Sequence, residues 1–159
     1  MIKLVVFDFD GVFTDGKIIF DNEGNALKHY NVKDGMGIVN LFKSNINVGV
    51  ISGWKENNSQ KAILKHLKIE RVSLGSNNKL DILKKWCKEL NIELSEVAYM
   101  GDDLNDLELM NNVNFTGCPN DAVNEVKKIS KFISTKTGGN GAIREFSDFI
   151  INNNINITH

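Results

Sequence analysis

The chain has 159 residues, a length that suits one domain able to bury most of the surface its unfolded form exposes. Its 19 Lys+Arg stand against 20 Asp+Glu, a formal net charge of −1 at pH 7, and that balance, with no basic run, argues against a nucleic acid or an acidic membrane as partner. With 42% hydrophobic and 25% charged residues the composition is ordinary for a globular protein, two cysteines are too few for a disulfide framework, and no apolar run approaches the ~20 residues that span a bilayer.

Met1 leads directly into Ile2-Lys3-Leu4-Val5-Val6-Phe7, an apolar run that stops at Asp8 and reads as a strand buried on both faces rather than as a signal peptide. Residues 17–20 and 26–32, joined by Asp21-Asn22-Glu23-Gly24-Asn25, read as a β-hairpin inserted after that strand. Helical spacing follows over 35–43, where Ile38, Val39, Leu41 and Phe42 recur. Further strand-like runs end at Ser52-Gly53, at Gly75 and at Gly101-Asp102-Asp103, and shorter ones lie at 114–116 and 132–134. Helical patterns fill 56–67, 78–90, 104–110, 121–129 and 142–150. The alternation predicts an α/β fold, a doubly wound, Rossmann-like parallel sheet with helices on both faces. One domain is expected over 1–150, with the hairpin at about 17–32, no large cap, and a flexible Asn-rich tail over 151–159. Cys87 is expected on a helix and Cys118 in a loop, both reduced, in a cytoplasmic protein.

Acids concentrate where strands stop. Asp8-Phe9-Asp10-Gly11 places two carboxylates at the end of a buried strand, which is costly unless something offsets their charge. A divalent cation does that, and oxygen-only ligands select a hard one such as Mg²⁺. Alone the block could be a turn whose acids cap local backbone. Gly101-Asp102-Asp103-Leu104-Asn105-Asp106 puts three more acids at another strand end; capping the next helix explains Asp103 but not Asp102 beside it. Ser52-Gly53 offers a hydroxyl and free amides at a third strand end, and Lys79 stands near the start of a helix. Strand ends converge on one rim of a doubly wound sheet, so these groups can meet there. Acids, Mg²⁺, a serine and a lysine together can bind a phosphate, and an Asp can accept the phosphoryl group.

The set Asp8-Phe9-Asp10-Gly11-Val12, Ile51-Ser52-Gly53, Lys79 and Gly101-Asp102-Asp103 resembles the four motifs of the haloacid dehalogenase superfamily, in the right order. Asp8-Phe9-Asp10-Gly11-Val12-Phe13-Thr14-Asp15-Gly16, Asn31-Val32-Lys33-Asp34-Gly35 and Gly138-Gly139-Asn140-Gly141-Ala142-Ile143-Arg144-Glu145 look like its capless sugar-acid phosphatases, the branch of the octulosonate 8-phosphate and acylneuraminate 9-phosphate enzymes. The resemblance covers roughly 1–150. It implies an Mg²⁺-dependent phosphomonoesterase acting on a phosphorylated sugar acid. Asp8 would be the nucleophile and Asp10 the general acid/base. Asp8, the Asp10 backbone carbonyl and Asp102 would hold Mg²⁺. Ser52, Gly53 and Lys79 would hold the phosphoryl group, and Asp103 and Asp106 would support the metal site. Residues Asn31, Val32, Lys33, Asp34 and Gly35 fall where this branch contacts substrate, and the 138–141 segment with Arg144 resembles its closing segment. The branch is typically a homotetramer whose hairpin helps a neighbouring subunit cover the site. Two positions depart from the octulosonate pattern: Trp54 stands where an Arg follows the motif-two glycine, and Val39 where a basic residue is usual.

Two other readings compete. A phospho-accepting receiver domain shares the sheet, the clustered acids, a hydroxyl and a lysine, but its accepting Asp ends the third core strand, which here ends Ser73-Leu74-Gly75. A non-catalytic tetramerisation module, of the kind fused to sugar-nucleotide synthetases, would not need the complete acid set present here.

Overall fold

The computed structural model describes residues 1–154. In chain order it runs β1 (Leu4–Phe7), a hairpin of β2 (Ile19–Phe20) and β3 (Ala26–Leu27), α1 (Val32–Lys43), β4 (Asn47–Ser52), α2 (Asn58–His66), β5 (Arg71–Leu74) and α3 (Lys79–Leu90). It continues with β6 (Val97–Met100), a 3-10 turn (Leu104–Asp106) running into α4 (Leu107–Met110), β7 (Phe115–Cys118), α5 (Asn124–Ile129), β8 (Phe132–Ile133) and α6 (Ala142–Asn153). Six strands form one sheet in the order β5-β4-β1-β6-β7-β8, with every neighbouring pair parallel.

β1 sits in the middle, and its apolar run is divided between two cores as the strand's alternation requires. Val5 and Phe7 join Ile38, Leu41, Ile63, Leu64 and Phe146 under α1, α2 and α6. Leu4 and Val6 join Leu83, Trp86, Leu109 and Val126 under α3, α4 and α5. Phe146 anchors α6: fully buried, its ring centroid lies 6.3 Å from Phe7, 5.9 Å from Phe115 and 5.5 Å from Phe132. Burying such a ring contributes about 1.5–3 kcal/mol. The doubly wound sheet is thus as the periodicity predicts, and among the described residues no large cap stands over it.

Several boundaries differ from the expectation. The hairpin pairs only Ile19 with Leu27 and Phe20 with Ala26 instead of running over 17–32. Its turn is tight, with Asp21 Oδ1 accepting from the amides of Glu23 and Asn25, but Lys28 turns inward and Asn31 turns to cap α1. That cap starts α1 at Val32, earlier than the apolar spacing suggests, because polar first-turn residues carry no periodic signal. At the other end α6 continues through Asn153, so 151–153 are helical rather than a tail. Asn154 ties down the end, its Oδ1 accepting from the Ile2 amide at 2.6 Å and its Nδ2 donating to the Ile2 carbonyl at 3.1 Å. The rest of the expected tail, 155–159, lies outside the described residues. Cys118 ends β7 and is not in a loop; it and Cys87 are buried free thiols.

The register places three strand ends level. Phe7 is opposite both Val50 and Met100, and Ser52 closes β4 beside Leu74. Residues following Phe7, Ser52 and Met100 therefore emerge on one rim.

Candidate active site

Asp8 leaves β1 with its amide donating to the Met100 carbonyl at 3.0 Å, which extends the ladder by one residue and points the carboxylate at the rim. Lys79 is the first residue of α3, whose start is capped by Asn78. Its Nζ lies 2.9 Å from Asp8 Oδ1 and 2.7 Å from Asp106 Oδ1. Asp106 is fully buried and saturated: it accepts also from the Tyr99 hydroxyl and from the amides of Asp102 and Asp103, at 2.9 and 3.3 Å. Asp102 is the opposite case, for its Oδ1 is buried with no hydrogen-bond partner. Its Oδ2 lies 1.9 Å from where a Cβ on Gly11 would stand, and Gly11 has φ +84°, so only glycine lets the two loops approach this closely.

The electrostatics follow from this crowding. Burial, and then the Asp106 charge, push the Asp8 carboxyl up to about 6 in spite of Lys79. Burial, and then the Asp8 and Asp106 charges, push Asp102 up to about 9. Burial alone would lower the Lys79 ammonium, but the two carboxylates outweigh it and hold it above its usual value. Asp8, Asp102 and Asp106 each offer a carboxylate oxygen, all within 4.8 Å of one another. Three carboxylates against one ammonium leave two negative charges, which a divalent cation cancels. The unpartnered Asp102 Oδ1 and the all-oxygen donor set fit a hard cation of the Mg²⁺ kind. Because the oxygens of Asp106 are already taken, Asp8 and Asp102 are the more open of the three to a cation.

A cleft of about 210 Å³ opens in front of these groups. Asp8, Asp10, Ser52, Gly53, Asp102 and Asp103 line it, with Trp54 and Asn105 at its sides. Ser52 is buried, its Oγ accepting from Gln60 Nε2 of α2 at 3.3 Å and from the Trp54 amide at 3.4 Å, which leaves its own proton to donate. Asp103 is exposed at the mouth, where its side chain accepts from the Leu104 amide and starts the 3-10 turn. Lys79 stands behind Asp8 rather than in the cleft wall. Asp10 carries an ion pair with Lys28, at 2.6 Å.

Other expected site residues lie elsewhere in the single chain. The Asn31 side chain accepts from the Lys33 amide as the cap of α1, Val32 is exposed, and Gly35 packs on Tyr30 and Leu67. Asp34 is fully buried and accepts from the amides of Gly141 and Arg144 at 3.2 and 3.0 Å, so it caps α6 and is closed to a ligand. Burial raises its carboxyl although those amides pull it down. Arg144 donates to Asp148, one turn along α6. The segment 138–141 does not overhang the cleft of its own chain but braces the loop after β1. The Gly139 amide donates to the Val12 carbonyl at 3.0 Å, and a Cβ on Gly138 would stand 1.9 Å from the Gly11 carbonyl oxygen.

Sequence reasoning missed Gln60, Tyr99 and Lys28. Gln60 was findable, since a glutamine three and four residues before Ile63 and Leu64 shares their buried face. Lys28 has no local sign.

A parallel sheet whose rim gathers acids, a buried lysine and a serine around a small polar cleft is the site of a metal-dependent phosphohydrolase. Residues 55–146 match the haloacid dehalogenase-like hydrolase family. The 3-deoxy-D-manno-octulosonate 8-phosphate phosphatase of Salmonella typhi is 35% identical over 150 residues, 94% of this chain and 79% of that protein. The crystal structure of 3-deoxy-D-manno-octulosonate 8-phosphate phosphatase from Moraxella catarrhalis, in complex with magnesium, phosphate and KDO, superimposes with a TM-score of 0.91 at 38% identity, covering 96% of this chain and 88% of that one. The cobalt-bound octulosonate phosphatase of Haemophilus influenzae gives 0.90 at 34% identity, covering 95% and 88%. The chain belongs to the haloacid dehalogenase-like hydrolases, and within that family it is a phosphatase.

Proposed function

We propose that this protein is an Mg²⁺-dependent phosphomonoesterase for a phosphorylated sugar acid of the 3-deoxy-D-manno-octulosonate 8-phosphate type, working through an aspartyl phosphate. The observation that carries the reading is the pair of buried Asp8 and half-buried Asp102, whose Oδ1 is buried with no hydrogen-bond partner, facing a cleft that Ser52 lines. Asp8 attacks phosphorus while the bond to the sugar oxygen breaks and Asp10 gives that oxygen a proton. Asp10 then takes a proton from water, whose oxygen attacks phosphorus and frees Asp8 and inorganic phosphate. Ser52 and the Gly53 amide hold the phosphoryl oxygens, and Lys79 restrains Asp8 from behind and adds positive charge. Asp8, the Asp10 backbone carbonyl and Asp102 would hold Mg²⁺, which would supply positive charge near the transferring phosphoryl group.

The substrate assignment rests on the named activity of the relatives at 35–38% identity. Trp54 lines the cleft where the octulosonate pattern has an arginine, which favours testing acylneuraminate 9-phosphate beside it. Phosphate release should be fastest with octulosonate 8-phosphate and should stop with EDTA. Equal slow release from octulosonate 8-phosphate, acylneuraminate 9-phosphate and simple sugar phosphates would defeat the specific assignment.

The assembly we propose is a homotetramer. Ile19, Phe20 and Leu27 on the hairpin are exposed, as are Val32, Met36, Val39 and Phe42 along α1, apolar side chains that neighbouring subunits would cover. In that assembly the exposed start of α1, Val32 and Lys33, would serve a neighbour's cleft rather than their own. Light scattering tests it, and a monomer at micromolar concentration would count against it. Among the described residues no helix is long and apolar enough to cross a membrane. Free buried thiols suit the reducing cytoplasm, where we place the protein.

A further inference from the structure

Lys28 follows β3, and its side chain is fully buried. Its Nζ lies 2.6 Å from Oδ1 and 2.7 Å from Oδ2 of Asp10. The Phe9 ring centroid is 5.5 Å away and that of Trp54 5.3 Å. An ammonium out of water needs a carboxylate and polarisable faces in place of its hydration, and this slot supplies both. The Asp10 side chain keeps 27% of its exposure and lines the cleft, so the contact restrains the acid without closing it off. A free carboxylate on a loop samples several staggered wells, whereas one cation bridging both oxygens holds a single orientation.

We propose that Lys28 is a positioning residue, holding the Asp10 carboxyl group in place before the leaving-group oxygen, with Phe9 and Trp54 holding Lys28 in turn. The proposal rests on the assignment of Asp10 as proton donor given above. In the first half-reaction Asp10 enters protonated, one oxygen accepting from Lys28 and the other carrying the proton; the Asp8–phosphorus bond forms, the phosphorus–sugar oxygen bond breaks, and that proton passes to the sugar oxygen. Lys28 neither gives nor takes a proton; it sets where Asp10 stands. A mere tie between hairpin and core would slow every substrate alike. A positioning role depends on the leaving group, because an alkoxide needs the proton and p-nitrophenolate leaves without it.

The test measures kcat/KM of the full-length protein with Mg²⁺ on octulosonate 8-phosphate and on p-nitrophenyl phosphate. Lys28→Met should lower the first by about 10²-fold and the second by less than about threefold, the scale of a displaced proton donor. Lys28→Gln, which keeps one hydrogen bond, should fall between the parent and Lys28→Met. In an Asp10→Asn background Lys28→Met should change nothing further. Equal losses on the two substrates, or losses that add to those of Asp10→Asn, overturn the proposal, and Lys28→Gln carries the same comparison if the methionine variant folds poorly. An Asp10→Asn variant that loses both substrates alike removes the acid assignment itself. Discrimination by Asp10→Asn but not by the Lys28 variants removes the Lys28 proposal alone.

Discussion

The inner side of the site, Asp8 and Asp102 in the cleft wall with Asp106 and Lys79 behind them, stands on the turns leaving β1 and β6 and on the first residue of α3, whereas the outer side, Asp10 and Trp54 in the wall with Lys28 behind Asp10, depends on loops and on a hairpin with two-residue strands. Asp8, Asp106 and Lys79 are buried and Asp102 half-buried, and the four crowd their charge, which central strands and a capped helix hold without relaxing it. On the outer side Asp10 is partly open and Trp54 half-exposed, while Lys28 is buried behind them. Charge that must stay concentrated is placed on the most rigid elements, and the groups at the mouth of the cleft stand on the least regular ones.

That contrast can be broken in order of effect. The largest loss should come from Asp8→Asn on the inner wall: removal of a nucleophile costs on the order of 10⁴-fold or more in turnover. Phosphate release measures it, and full activity in a folded variant would end the aspartyl-phosphate reading.

Next comes metal linkage. The Asp8 and Asp102 carboxyls rise from 3.8 to about 6 and about 9, so the fold binds their protons more tightly than the unfolded chain does. Their contribution to metal-free stability is therefore greatest below the unfolded value and is lost as pH rises through 6 and towards 9. Mg²⁺ needs both ionised, so its stabilising effect should grow across that window, to about 2.7 kcal/mol at a hundred times its dissociation constant. Thermal unfolding with EDTA or Mg²⁺ at about pH 5 and about pH 8 reads both trends. Asp102→Asn should flatten the first and abolish the second; a surviving Mg²⁺ response would move the ion off this carboxylate.

Asp34→Ala tests a buried acid that the resemblance places at the substrate but that caps α6. It should lower stability by about 1–2 kcal/mol, seen in denaturant unfolding, while the remaining folded protein keeps its kcat. The smallest effect should come from Trp54→Ala, with unchanged stability and a KM for the sugar phosphate raised by about three- to tenfold. A stability loss as large as that of Asp34→Ala would mean the outer wall is as structural as the inner one.

Asp8, Ser52, Lys79 and Asp102 were legible because each ends a strand or begins a helix, and topology alone then brings them to one rim. Asp34 was misread because Asn31-Val32-Lys33-Asp34-Gly35 looks the same whether its acid faces a ligand or the start of α6, and the packing of α1 on α6 decides which. Lys28 was invisible for a related reason. Its partner is eighteen residues back, and nothing within a strand this short says which way a lysine turns. Arg144 was read by resemblance as part of a closing segment, yet in one chain it meets Asp148 on its own helix.

The wedge of Gly138 against the Gly11 carbonyl also governs when the site comes into being. The loop that carries Asp8 and Asp10 is made early in synthesis, but the segment that braces it emerges only when the chain has reached residue 138. Contacts so distant in sequence close late, after local helices and neighbouring strands. A chain stalled on the ribosome before that point should hold its acids without their final geometry, and phosphatase activity should appear abruptly with the docking of α6 rather than grow with chain length.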